Sequence, residues 1–253
     1  MKLIRRMLKK EAKKEQRKWL EPAGGTGTFI ECLASHGISN VVSYDIEPHH
    51  AQVQHTKDFL KEDLSHLNGC LVLTNPPFGR LHQLSIPFFN KCAESADYIG
   101  FLIPRSWRKW TISNRLDLNF HLVHDEPFKI NFVTATGEEL QGGGISVCFQ
   151  IWQRKETKRQ KVHVEDRGYL IRCPREESEV GITTYGYGTG KLREPTDDKT
   201  GTYYFKLKSP WVMRALKEID FGPFMENSMM IPSLSMMEIN FLLNEYADRK
   251  EHT

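Results

Sequence analysis

Arg17-Lys18-Trp19-Leu20-Glu21-Pro22-Ala23-Gly24-Gly25-Thr26-Gly27 is the stretch on which the reading of the fold turns. Residues 17–21 read as a short strand running into the glycine-rich turn from Glu21 to Gly27. Residues 28–36 then read as a helix, with Phe29, Ile30 and Leu33 on one face and Gly37 as its stop. Strand, glycine turn and helix in that order open a doubly wound sheet around a nucleotide-like ligand. The glycines let backbone approach the ligand, and the helix N-terminus offers free N–H groups to an anion. A purely structural turn of the same composition is the alternative.

Working outward, residues 41–44 form a β-branched and aromatic run that ends at Asp45, and residues 70–74 form an apolar run that ends at Asn75. Residues 98–103 make a further strand, stopped by Pro104. Strands separated by helical stretches imply a parallel sheet with helices on both faces. Residues 121–124 and 146–152 read as a strand pair closing that sheet, around a loop at 137–144 that holds Gly142-Gly143-Gly144. The charged stretch 154–161 reads as a boundary. This gives a basic N-terminal helix at 1–15, a main α/β domain at 16–153 and a C-terminal region at 154–253. In that region segments 181–190 and 194–201 are turn-rich, 203–207 reads as a strand, and 210–219 and 236–249 read as amphipathic helices.

The 253 residues are 39% hydrophobic and 26% charged, enough for a core and against global disorder. No window reaches the roughly 18 consecutive apolar residues of a membrane span, and residues 1–10 lack a signal-peptide core, so the expected location is the cytosol. The five cysteines are scattered with no C-x-x-C pair and read as buried free thiols; the ten histidines have no ligand spacing, so no metal is expected. His49-His50 reads as a solvent-exposed turn. Net charge is only +3, yet residues 1–20 hold nine Lys/Arg against Glu11 and Glu15. Attraction to a polyanion would therefore be concentrated there, a solvated helix being the alternative.

Asp45 lies 18 residues past Gly27, the spacing expected of a carboxylate that accepts bonds from ribose hydroxyls. Asp58 and Phe59 are placed to bind an adenine ring by hydrogen bond and stacking, with Asp63 able to replace Asp58. Asn75-Pro76-Pro77-Phe78 is the sharpest feature. Two prolines fix φ, so the Asn75 side chain and the Pro76 carbonyl are held rigidly at the sheet edge. Both are acceptors, and a planar exocyclic amino group has two donors to give them. Those bonds would draw the nitrogen towards tetrahedral geometry and expose its lone pair, while Phe78 supplies a face for a base.

With these motifs in this order, the sequence resembles the S-adenosylmethionine-dependent amino-methyltransferases of nucleic acids. Between Asn75 and Ser106 it is particularly similar to bacterial and phage DNA adenine methyltransferases. The resemblance covers residues 17–152 and only vaguely the last hundred. It implies a Rossmann-like class I sheet of seven strands, mostly parallel with an antiparallel last strand, plus a small C-terminal region that helps hold the substrate. It implies S-adenosylmethionine as cofactor, held by Glu21, Pro22, Gly24, Gly25, Gly27, Phe29, Asp45, Ile46, Asp58, Phe59 and Asn75. The implied catalytic set is Asn75, Pro76, Pro77 and Phe78, and the implied reaction is methylation of adenine N6 in DNA. RNA adenine and cytosine N4 present the same amino chemistry and stay open. A protein glutamine amide, whose motif usually ends in Tyr, and a non-catalytic nucleic-acid-binding subunit are the remaining rivals. Carbon-5 cytosine chemistry needs a Cys nucleophile in Pro-Cys order, whereas Cys173-Pro174 is reversed.

Arg105-Ser106-Trp107-Arg108-Lys109-Trp110 interleaves cations with aromatics after a strand on the same edge, and Arg105, Trp107, Arg108 and Lys109 are candidate nucleic-acid contacts. Core tryptophans are the alternative. Arg154, Lys155, Lys158, Arg159 and Lys161 either extend that track or form a solvated linker. If the basic N-terminus meets phosphates, affinity for duplex DNA falls steeply with added salt. Deleting residues 2–14 then flattens the slope of log K against log salt. An unchanged slope in a fluorescence-anisotropy titration assigns the segment elsewhere.

Overall fold

The computed structural model describes residues 17–130 and 145–251. The basic segment 1–15 and the loop 137–144 lie outside the described residues. The chain divides into two compact units, Met1–Lys161 and Val162–Thr253.

In the first unit, β1 (Trp19–Glu21), β2 (Val41–Asp45), β3 (His55–Thr56), β4 (Cys70–Thr74), β5 (Ala96–Pro104), β6 (Phe120–Ile130) and β7 (Ile145–Arg154) form one seven-stranded sheet in the order β3-β2-β1-β4-β5-β7-β6. β1 pairs in parallel with β2 and β4, β4 with β5, and β2 with β3. β7 runs antiparallel to both β5 and β6. Side chains alternate between the two faces, as a strand period of two requires. Leu20, Val72, Ile99, Phe101 and Trp152 join one buried cluster; Trp19, Leu71, Leu73, Tyr98 and Phe149 join the other. Helix α1 (Thr28–Ala34) contributes Leu33 to the second cluster, and α2 (Ser85–Cys92) contributes Ile86, Phe89 and Cys92 to the first. Helices therefore cover both faces, and the parallel central strands, buried on both sides, read as the apolar runs seen in the sequence. The short β3 gives no periodic signal and was not expected.

The boundary falls after Lys161 because the charged stretch is sewn onto the sheet. Lys155 N donates to Asn119 O at 2.8 Å and Arg159 N to Leu118 O at 2.8 Å. The Arg159 guanidinium caps three carbonyls, those of Phe120 (3.0 Å), Ser113 (2.5 Å) and Leu116 (3.1 Å), and lies 5.6 Å from the Trp152 ring centroid. Arg154 donates to the carbonyls of Ala93 and Ala96 and sits over the Phe120 ring. Two of the five cations considered for a phosphate track are thus structural.

The second unit is a four-stranded antiparallel sheet, order β10-β9-β11-β8, made of β8 (Leu170–Arg172), β9 (Val180–Thr183), β10 (Leu192–Arg193) and β11 (Thr202–Leu207). Helices α3 (Pro210–Glu218) and α4 (Met236–Glu251) bury Val212, Ala215, Ile239 and Leu243 with Leu170, Ile182 and Phe205. Ser235 and Glu238 form a reciprocal cap at the start of α4: Ser235 N donates to the Glu238 carboxylate at 2.7 Å and Glu238 N to Ser235 Oγ at 3.3 Å. Among the described residues no helix is long and apolar enough to cross a membrane.

Arg159→Ala leaves three carbonyls short of a donor and should lower the unfolding free energy by about 2 kcal/mol or more. Arg159→Lys should recover little of it, since an ammonium lacks the planar fork. Urea denaturation followed by circular dichroism measures both, with exposed Lys158→Ala as a neutral control.

Candidate functional site

β1, β2, β4 and β5 are parallel neighbours, so their carboxyl ends place Glu21, Asp45, Asn75 and Pro104 along one edge of the sheet. The glycine turn is locked to that edge. Gly24 N donates to Tyr44 O at 2.8 Å, and Gly25 N donates to Asp45 Oδ2 at 2.7 Å. Gly25 and Gly27 have φ of 47° and 80°, a backbone region that disfavours other residues. A Cβ at Gly24 would stand 2.7 Å from Val53, and one at Gly27 would stand 2.3 Å from the His50 ring. At Gly25 the nearest atom would be 4.0 Å away, so that side of the turn is open. His50, expected in an exposed turn, instead backs Gly27 and meets the Glu31 carboxylate at 3.2 Å; His49 is exposed.

Asp45 Oδ1 accepts from Glu47 N at 2.8 Å, so each carboxylate oxygen carries one backbone bond and keeps capacity for another. The next residue, Ile46, is 74% exposed. Asp58 accepts from Leu60 N at 3.2 Å and pairs with Lys61 at 3.0 Å, and the Lys61 ammonium holds its carboxyl below the ordinary value. Phe59 is buried among Tyr44 and Phe88, ring centroids 5.7 and 5.3 Å away, which leaves it no open face for stacking. Pro22 is buried, and Phe29 is half-buried against the Trp19 cluster.

Glu21 is fully buried, and Ala23 N donates to its Oε1 at 3.0 Å. Burial pushes its carboxyl up to about 8, only partly offset by the bond from the Ala23 amide, with Asp45 adding to the rise.

The Asn-Pro-Pro-Phe motif follows β4. Pro76 is buried; Asn75, Pro77 and Phe78 are half-buried, and Phe78 packs against the larger core cluster. Asn75 Oδ1 is buried with no hydrogen-bond partner among the described residues. After it Gly79 (φ 65°), Leu81 (φ 51°) and His82 (φ 60°) make a tight left-handed turn. His82 Nε2 bonds Ser106 Oγ at 2.8 Å, and Trp107 Nε1 donates to Ser85 Oγ at 3.3 Å. These bonds tie the motif's loop to the exit of β5. Burial, with Arg115 adding, holds the His82 imidazole below its ordinary value. Nothing in the sequence singled out His82, Ser85 or Ser106, whose partners are about twenty residues away.

The basic-aromatic segment divides. Trp107 is fully buried against Phe89 and Phe101 and belongs to the core, so it offers no surface to a nucleic acid. Arg108 grips Asp125 through Nε at 3.0 and 3.1 Å and through Nη2, and Gln150 donates to the same carboxylate at 2.8 Å. Arg105 and Lys109 are half-buried, with Arg105 Nε lacking a partner among the described residues.

Strand order, parallel centre and the antiparallel β7 define a Rossmann-like methyltransferase fold. No protein-family model and no curated protein matches the chain. Among solved structures the chain is similar to a proposed RNA methyltransferase from Pyrococcus horikoshii (18% identity, TM-score 0.44, covering 55% of this chain and 76% of that one). It is also similar to a protein of Thermoplasma acidophilum (14%, TM-score 0.45, 62% and 88%). A third is a structure concerned with conversion of a disulfide bond into a thioacetal group during echinomycin biosynthesis (13%, TM-score 0.39, 55% and 76%).

The Glu21 carboxyl gives a pH signature. Its folded value of about 8 stands above the ordinary 4.5. Its stabilising contribution is therefore complete below about 4.5 and is lost as pH rises through 8. Glu21→Gln keeps the Oε1 acceptor and cannot ionise. Relative to wild type it should gain stability, on the order of a few kcal/mol, between pH 5 and pH 8. Urea midpoints across that range test this; parallel curves would remove the burial assignment.

Proposed function

We propose that the first unit is an S-adenosylmethionine-dependent methyltransferase acting on the N6 amino group of adenine in DNA. The observation that carries this reading is Asn75 Oδ1, a buried acceptor without a partner among the described residues, at the head of a rigid Pro-Pro step that leads to the half-buried Phe78. An unsatisfied buried acceptor costs stability, so its natural partner is a donor that arrives with a ligand.

The edge fits the cofactor. The open side of Gly25 admits a ligand against the backbone, Asp45 has acceptor capacity for two ribose hydroxyls, and exposed Ile46 offers apolar surface to an adenine. When bound, S-adenosylmethionine supplies an electrophilic methyl group on a sulfonium. Asn75 Oδ1 and the Pro76 carbonyl accept the two amino hydrogens of the target, which turns the nitrogen lone pair out of conjugation and towards that methyl. Both are neutral acceptors whose bonds strengthen as positive charge grows on nitrogen, and Phe78 holds the base plane. The nitrogen's proton becomes acidic on alkylation and passes to water, so no dedicated base is required.

The roles separate cleanly. Asn75→Ala should cut methyl transfer about a hundredfold or more with cofactor affinity close to wild type. Asp45→Ala should weaken cofactor binding about tenfold or more in calorimetry. Phe78→Tyr should keep activity and Phe78→Ala lose it. Mass spectrometry of nucleosides from treated DNA should give N6-methyladenine; only N4-methylcytosine, methylated RNA adenine or methylglutamine in parallel substrates would move the target. An Asn75→Ala protein with full activity would end the reading.

A further inference from the structure

Leu81 and His82 are the only non-glycine residues with positive φ among the described residues, and they are adjacent. Side chains disfavour this region because Cβ crowds the carbonyl, and such strain persists only where neighbours enforce it. Here they do. The His82 ring is bonded to Ser106 Oγ at 2.8 Å and stands edge-on to Trp107, centroids 6.4 Å apart. Gly79 is pressed so close that a Cβ there would lie 2.9 Å from Gln83 and Leu84, and Ser85 N closes on Phe78 O at 3.4 Å. The outcome is that Leu81 is held at the tip of this turn, 79% exposed, three residues from Phe78. A leucine there combines backbone strain with an apolar side chain in water and gains no internal packing.

Resting on the function proposed above, we infer that Leu81 is an apolar wedge, entering a base-paired stack at the place vacated when the target base turns out onto Phe78. Unstacking a paired base is unfavourable, and an aliphatic side chain inserted at the step offsets it by restoring contact with the neighbouring bases. A rigid turn serves this better than a mobile one because no ordering is required on contact. The wedge defines the substrate as paired nucleic acid; a single strand leaves no gap to fill.

The test compares wild type with Leu81→Ala, using labelled S-adenosylmethionine and a random-sequence DNA pool. The pool is offered as duplex, as single strands, and as duplex with the adenines mismatched. We expect kcat/KM on paired duplex to fall about tenfold, single strands to be methylated at near wild-type rates, and mismatches to restore much of the loss. Leu81→Phe should retain duplex activity. Because the side chain is exposed, the variant should fold, which its melting curve checks. An equal fall on duplex and single strands, no fall on duplex, or a wild-type enzyme that acts on single strands alone would each overturn the wedge and leave the site's reading intact. Absence of any nucleic-acid methylation by wild type would instead sink the function proposed above, and the wedge with it.

Discussion

The Gly25 amide donates to the Asp45 carboxylate at 2.7 Å, and through that bond the first turn of the sheet and the end of its second strand become one object. The bond exists because β1 and β2 are parallel and in register, Glu21 opposite Ser43, so that their exits rise together. Gly24 N reaching Tyr44 O and His49 N reaching Gly25 O add a second and a third tie. Positive φ at Gly25 and Gly27, and the absence of side chains where Val53 and His50 pack, are conditions for this joint. A methyl group at Gly24 or Gly27 would force the two loops apart and take the Asp45 carboxylate with them.

Two carboxyl groups stand at this edge with different fates. Glu21, fully buried, is held protonated at neutral pH by the cost of desolvating its charge; Asp45, half-exposed and bonded by two backbone amides, is placed where water and ligand can reach it. Burial thereby makes Glu21 a neutral packing element beside the solvent-accessible Asp45. A second buried anion beside Asp45 would repel it, which is why the rise at Glu21 includes a contribution from Asp45.

The strand exits were legible because each is marked by residue types that do little else together: glycines at 24, 25 and 27, an acid at 45, Asn-Pro-Pro at 75–77. What failed to show was the direction of side chains in short helical turns. Arg105 to Arg108 is a 3₁₀ turn, whose period of three puts the two arginines on one side and Trp107 on another. Composition suggested an interface; the pitch sends the indole into the core. Phe59 is turned inward in the same way by its own 3₁₀ turn. Arg159 was unreadable for a different reason, since the carbonyls it caps belong to residues about forty positions earlier. The strands β8, β9 and β10, two to four residues long, are too short for an alternation to register.

Among the described residues, the hydrogen bonds around the edge form two groups. One joins the glycine turn, Asp45 and the loop after β2; the other joins Phe78, Ser85, His82, Ser106 and Trp107 around the exit of β5. They meet through β1 and β4, which pair directly in the sheet, and through the shared core, where Tyr44, Phe59 and Phe88 lie in one cluster against which Phe78 also packs. The sheet fixes the distance between the two loops, and each loop has hydrogen bonds of its own. The loop after Phe78 carries its strain at Leu81 and His82 against the Ser106 and Trp107 contacts, on the β5 side of the edge and away from the glycine turn.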